Sequence, residues 1–240
     1  MIPKDHPRYV SLMIRERLVR GYESGIVCTH GLIAHGRGEA FDYLIGEKTT
    51  KAAMHATKVA AATLLTAEHP VISVNGNTAA LVPDEIVHLS ERIGAPLEVN
   101  LFHRTEERMD KIIAHLKVHG ATNILGKRAD ARIPGIEHER GKVDKDGIYG
   151  ADAVLVPLED GDRCEALVRM GKTVIAIDLN PLSRTSRTAT ITIVDNVVRA
   201  IPNMVKLSEE LRGIKQTEIR KIIDAFDNEL NLQRMTEHDD

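Results

Sequence analysis

"ADAVLVPLEDGDRCEALVRMGKTVIAIDLNPLSRTSRTATITIVD", residues 151–195, decides the fold. It holds three apolar, β-branched runs: ADAVLVPL (151–158), TVIAIDL (173–179) and TATITIVD (188–195). Two more lie upstream, VISVNG (71–76) and PLEVNLF (96–102). Most are near-continuous rather than alternating, as strands buried on both faces of a parallel sheet require. Helical patterns separate several of them, so the chain predicts an α/β fold with a parallel sheet flanked by helices.

The helices can be read from spacing and caps. TEERMDKIIAHLKVHG (105–120) sets Met109, Ile112, Ile113 and Leu116 on one face, with Thr105 as N-cap and Gly120 as stop. The alanine-rich stretch from Lys51 to His69 is helical by propensity and ends at Pro70. DHPRYVSLMIRERLVRG (5–21) predicts a helix with Val10, Ile14 and Leu18 inward. A glycine-punctuated region without strand signals follows, in which GRG (36–38) is either a turn with a charged tip at Arg37 or the edge of an anion-binding site. GKRADARIPGIEHERGKVDKDG (126–147) is polar and aperiodic, a mobile loop or part of a site. After a break at Gly213, one last helix carries Ile219, Ile222, Ile223, Phe226 and Leu230 as a stripe for the core or, preferably, a second subunit. The expected organisation is a helical N-terminal portion (1–70), an α/β core (71–212) and a C-terminal helix and tail (213–240).

Composition narrows the function classes. The 240 residues are 42% hydrophobic and 28% charged, an ordinary globular balance. A net charge of −3 gives no support to a nucleic-acid coat or a membrane-surface binder. Trp is absent and aromatics are 3%, which disfavours base-stacking platforms. No apolar run approaches the ~20 residues of a membrane span, and MIPKDHPRYV lacks a secretory core. Cys28 and Cys164 form no metal-ligand pattern, so a cytoplasmic location is expected.

Chemistry is expected at the strand ends. The five runs lead into Asn75-Gly76-Asn77, Asn100, Glu159 to Asp162, Asp178-Leu179-Asn180 and Asp195-Asn196. In a parallel sheet these ends share the edge where open α/β folds bind ligands. Neither a dinucleotide fingerprint nor a P-loop is present: Phe41 stands where GRGEAF needs its third glycine, and a strand follows GKT. Three arginine-bearing stretches offer anion sites instead: Arg37, Arg104 with Thr105 at a helix start, and Arg184, Thr185, Arg187 and Thr188 between two strands. His115 and His119 lack the Glu of a zincin motif. Glu39, Asp42, Glu159, Asp160 and Asp162 are candidates for water-mediated Mg²⁺ binding, and no direct metal ligand is expected.

GLIAHGRGEAFDYLIGE, VISVNGN, VNLFHRTEER, VPLEDGDR, ALVRMGK and VIAIDLNPLSRTSRTATITIVDNVVRAIPNM together resemble the archaeal phosphopantothenate synthetases, the 4-phosphopantoate–β-alanine ligases. The resemblance spans about residues 2 to 212, with the residues after Gly213 outside its signature. It implies a homodimer with a Rossmann-like domain and a helical portion. It also implies formation of an acyl-adenylate from ATP and 4-phosphopantoate, displaced by β-alanine to give the coenzyme A precursor 4′-phosphopantothenate. Family ATP contacts fall on Arg15, Arg37, Asp178, Leu179, Asn180, Arg184, Thr185, Asn196 and Val197, with Arg37 and Arg184 the expected catalytic arginines and Mg²⁺ an expected companion of ATP. Placement adds Arg104 and Thr105 for the second anion, and Asn75 and Asn77 for the pantoyl hydroxyl or the β-alanine carboxylate. The alternatives are a non-enzymatic ATP-binding regulator and a nucleotide-cofactor oxidoreductase, the latter disfavoured by the missing glycine fingerprint.

Overall fold

A computed structural model describes residues 2–236. The chain begins with α1 (Tyr9–Glu23), α2 (Thr29–Leu44) and α3 (Lys51–Thr66), then enters the sheet with β1 (Pro70–Val74). Next come α4 (Gly76–Leu81), α5 (Pro83–Ile93), β2 (Leu97–Val99), α6 (Glu106–Val118) and β3 (Ile124–Leu125). A two-stranded antiparallel excursion, β4 (Ala131–Arg132) and β5 (Lys142–Val143), interrupts the alternation. The second half holds β6 (Ala153–Pro157), α7 (Gly161–Arg169), β7 (Thr173–Ile177), α8 (Arg184–Thr188) and β8 (Ile191–Ile193). It closes with α9 (Val197–Leu211), α10 (Gln216–Asp224) and α11 (Asn228–Thr236).

The main sheet is parallel throughout, in the order β3-β2-β1-β6-β7-β8. The chain winds outward from β1 to β3, returns to the centre at β6 beside β1, and winds outward the other way. This is the doubly wound order whose switch point, here between β1 and β6, opens a crevice at the carboxyl ends of the strands. All five expected strands are present; β3 and the hairpin are additions.

Strand residues alternate between two apolar layers, and burial on both faces explains their continuous apolar sequence. Ile72, Val74, Leu155 and Ile175 pack under α3, α5, α6 and α9. Val71, Val154, Val156 and Val174 pack under α7 and under Ile133, Ile136, Val143 and Ile148 of the polar excursion. The excursion therefore covers part of one sheet face beside α7. Its few apolar residues have no period because they come from turns.

Three local expectations need correction. Val10 is 64% exposed, while Ile14 and Leu18 are buried. The GRG stretch is no turn: it lies inside α2, whose hydrogen bonding continues through Gly36 and Gly38. The C-terminal stripe breaks into α10 and α11 because Asp227 starts a new helix, accepting the Leu230 amide at 3.0 Å. Ile219, Ile222, Ile223 and Phe226 pack on the core, whereas Leu230 is 45% exposed.

Candidate active site at the carboxyl edge of the sheet

Helix α2 lies across the strand ends. Asn77, following β1, donates from Nδ2 to the Gly31 carbonyl at 2.8 Å. One side of Gly38 faces Leu179, in the turn after β7, where a Cβ would sit 3.5 Å from Leu179 Cδ1. Asp42 accepts from Asn196 Nδ2 at 2.8 Å, just past β8, and from Arg199 in the first turn of α9. The eleven-residue rise from Gly31 to Asp42 is ~16 Å. Three strand spacings from β1 to β8 come to ~14 Å, so one helix bridges the edge. The small residue at 31 permits that approach.

Beneath the first half of α2, at the switch point, lies a cavity of about 270 Å³. Asn75 fixes its floor: Oδ1 caps α4 by accepting the Thr78 amide, and Nδ2 donates to the Pro157 carbonyl at 2.8 Å, tying β1 to β6. Leu158, on the rim, adopts φ 55°, a left-handed conformation costly for a branched side chain. That turn carries Glu159 inward, where it meets Arg163 and Arg140.

The cavity's charged groups differ in what they have left to offer. Arg140 bonds Asp160 at 2.9 Å and lies 3.5 Å from Glu159. Burial disfavours its charge, but these carboxylates outweigh that and hold its pKa above the ordinary value. Asn100, at the end of β2, accepts from Arg140 Nε and donates to the Lys142 carbonyl, seating the excursion on the cavity. Arg108 donates only to carbonyls, those of His103 and Ile26, and its buried Nε has no partner among the described residues. Arg108 therefore keeps an uncompensated positive charge at the cavity wall. His30 and His103 stack there with ring centroids 4.2 Å apart.

The second half of the edge holds the other expected residues. Asp178 accepts from the Asn180 amide and from Ser183 Oγ, closing the turn after β7. Thr185 donates to the Glu159 carbonyl at 3.0 Å, joining this turn to the one after β6. Arg184 lays its stem against Gly161 and pairs with Glu165, with most of its side chain exposed. Asn196 caps α9, and Val197 is buried behind it. Arg37 is exposed and makes no hydrogen bond or ion pair among the described residues. Arg15 holds Glu39 through Nε at 2.9 Å. Burial pushes Glu39 up, but its bonds to Arg15 and Ser11 bring it below the usual carboxylate range.

The structure thus gathers Asn75 and Asn77 at the cavity, and Asp178, Leu179, Asn180, Arg184 and Thr185 on one turn with Gly38 of α2 beside it. Arg184 opens the short helix α8 that follows that turn, and Arg37 precedes Gly38 on α2. Arg104 has a different task from the one expected: its guanidinium is buried against the Gly126 and Lys127 carbonyls and bolts the start of α6 to the turn after β3. Thr105 caps α6. Arg108, one helical turn further along α6, faces the cavity instead. Arg140 gave no sequence signal, lying in an aperiodic segment.

Acidic groups at this edge are mostly spoken for: Glu39 and Asp42 by arginines, Glu159 and Asp160 by Arg163 and Arg140, and Asp162 by His138 at 3.1 Å. Among the described residues no three His, Cys, Asp or Glu side chains assemble to hold a metal ion. The donor set does not fit a resident Mg²⁺ site.

Fold and site define a doubly wound α/β protein with a cationic cavity at its switch point and a polar, arginine-bearing turn beside it. The chain belongs to the phosphopantothenate/pantothenate synthetase family, whose model matches residues 52–238. Curated relatives named 4-phosphopantoate–beta-alanine ligase include those of Thermococcus kodakarensis, 57% identical over 99% of this chain and 91% of its own length, and Methanosarcina mazei, 58% identical over 96% and 91%. The match runs through residues 213–238, so the C-terminal segment lies within the family region, contrary to the sequence expectation.

Proposed function

We propose that this protein is an ATP-dependent ligase that condenses (R)-4-phosphopantoate with β-alanine to 4′-phosphopantothenate, releasing AMP and diphosphate, in coenzyme A synthesis. The observation that carries this reading is 56–58% identity to four ligases of that name, over 88–99% of the chain. The edge geometry supports a division of labour. ATP lies along the turn after β7, held by Arg37, Arg184, Thr185 and the Asp178–Asn180 backbone, with Asn196, Val197 and Arg15 at its far end. Phosphopantoate and β-alanine occupy the switch-point cavity, where Arg108 meets an anion and Asn75 and Asn77 orient hydroxyl or carboxylate.

In this arrangement the substrate carboxylate attacks the α-phosphorus, diphosphate leaves, and the amine then displaces AMP from the acyl-adenylate. The protein's contribution is positioning and charge neutralisation; no nucleophilic side chain is required. Mg²⁺ bound to the triphosphate would offset part of its charge. Exposed Val10, Ile33, Tyr43 and Leu44 on α1 and α2 support a homodimer. No helix among the described residues is long and apolar enough to cross a membrane, which agrees with cytoplasmic work on small molecules.

The test is direct. With ATP, 4-phosphopantoate and β-alanine together, AMP and diphosphate should accumulate in step with phosphopantothenate, and omission of either substrate should stop turnover. Stoichiometric ADP, or no product, would overturn the reading.

A further inference from the structure

Amide formation from an acyl-adenylate needs a free amine, yet an alkylamine such as β-alanine reaches the enzyme as an ammonium ion. Something at the cavity must take a proton. Among the groups lining it, Asp160 is bound to Arg140, and Arg108 and Arg140 are cations. Asn75 and Asn77 have no basic site, and the Cys28 sulfur is a weak acceptor. That leaves the stacked imidazoles of His30 and His103, neither of which spends a ring nitrogen on a hydrogen bond within the described residues.

We propose that His103, stacked on His30 at the cavity wall, is the general base that deprotonates β-alanine for its attack on the acyl-adenylate. This rests on the ligase reading above. One ammonium proton passes to a His103 ring nitrogen, and the nitrogen lone pair forms the C–N bond. The tetrahedral adduct collapses by breaking the C–O bond to AMP, the second N–H proton is released to solvent, and the imidazolium then gives its own proton to solvent, restoring the base.

The surroundings favour an uncharged ring. His30 from α2 faces His103, Arg108 approaches from α6, and Asp160 from the turn after β6. Beyond the Phe102 ring, which contacts both His103 and His138, lies the His138–Asp162 pair. Partial burial, His30 and Arg108 lower the His103 pKa, and Asp160 opposes them without prevailing. A base that is free at neutral pH, beside a cation that would hold the substrate's anion, suits an amine-activating role.

The experiment separates the two halves of the reaction in the full-length enzyme. Isotope exchange between diphosphate and ATP, driven by 4-phosphopantoate alone, reports adenylation; product formation reports amide synthesis. His103→Gln should keep the exchange while β-alanine turnover at neutral pH falls by ~10²-fold or more. Raising the pH should restore turnover, and hydroxylamine, uncharged at neutral pH, should be converted to the hydroxamate at the wild-type rate. His30→Phe keeps a stacking ring but removes the neighbouring imidazole, so the acid limb of the pH–rate profile should move to higher pH. Equal loss of exchange and amide synthesis in His103→Gln, or undiminished β-alanine turnover, would overturn the role of His103. Absence of exchange and product in the wild type would overturn the ligase reading instead.

Discussion

Asn77 and Gly31 are locked together at the end of β1: the Asn77 amide donates to the Gly31 carbonyl, and a Cβ on Gly31 would come within 2.4 Å of Asn77 Oδ1. This contact seats α2 on the sheet edge, so residue 31 must be small. Gly31→Ala should push Asn77 off its partner, costing ~1–3 kcal/mol of stability and lowering turnover. Gly36, five residues on, faces open space. There Gly36→Ala should stabilise by ~0.5–1 kcal/mol. Urea denaturation of the pair checks this; equal effects would mean that α2 does not depend on close approach at residue 31.

Arg37 and Arg184 separate binding from folding. Among the described residues Arg37 has no partner, and Arg184 has only an exposed pair with Glu165, of the kind that contributes little. Alanine at either position should shift stability by no more than ~0.5 kcal/mol. Losing a charge-assisted contact worth ~1.5–3 kcal/mol should raise the apparent KM for ATP by ~10-fold or more. Steady-state kinetics decide; an unchanged KM for ATP removes that arginine from the site.

Glu98 makes a pH prediction. Its carboxylate, fully buried on β2, accepts the Asp144 and Ile148 amides of the excursion that carries Arg140. Burial pushes its pKa up to about 7 despite those two donors. The folded state therefore holds a proton that the unfolded chain releases near pH 4.5. Stability from this group is full below pH 4.5 and is lost as pH rises to about 7, by ~3 kcal/mol at most. Thermal unfolding between pH 5 and 8 should show this fall in the wild type and not in Glu98→Gln. Parallel curves would show that Glu98 is ionised throughout.

The sequence exposes whatever is repeated or periodic. Strands buried on both faces, such as 153–157 and 173–177, announce themselves by continuous β-branched residues, and α6 by its cap and spacing. The polar residues that end each strand mark the edge where the site lies. What stays hidden is set by close approach across the chain. Gly36 and Gly38 read as a turn because glycine is rare inside helices, and of the glycines of α2 only Gly31, against Asn77, is held to its size by close approach. Arg104 and Arg108 are alike as sequence; the angle at which α6 leaves the edge decides which one is consumed by carbonyls. Arg140 reaches the cavity because Asn100 holds a segment with no pattern of its own.

The C-terminal helix should tune the nucleotide side of the site. β8 is an edge strand, and its outward backbone groups would be open to pairing with another chain. Asn228 and Asn231 of α11 satisfy them instead: Asn228 Oδ1 accepts the Thr192 amide at 2.8 Å, and Asn231 Nδ2 donates to the Thr192 carbonyl at 3.1 Å. Asn228 Nδ2 also reaches the Ser186 and Ala189 carbonyls, gripping α8 one residue beyond Thr185. Asn228→Ala leaves the buried Thr192 amide unpaired, a cost of ~1–3 kcal/mol, and frees the turn that carries Arg184. Stability should fall and the KM for ATP rise, while the KM for β-alanine stays put because the switch-point cavity lies on the other half of the edge. Leu230→Ala, on the exposed side of the same helix, should change stability by no more than ~0.5 kcal/mol and leave both constants alone. Equal movement of the two KM values in Asn228→Ala would show that α11 acts through general loosening of the sheet rather than through α8.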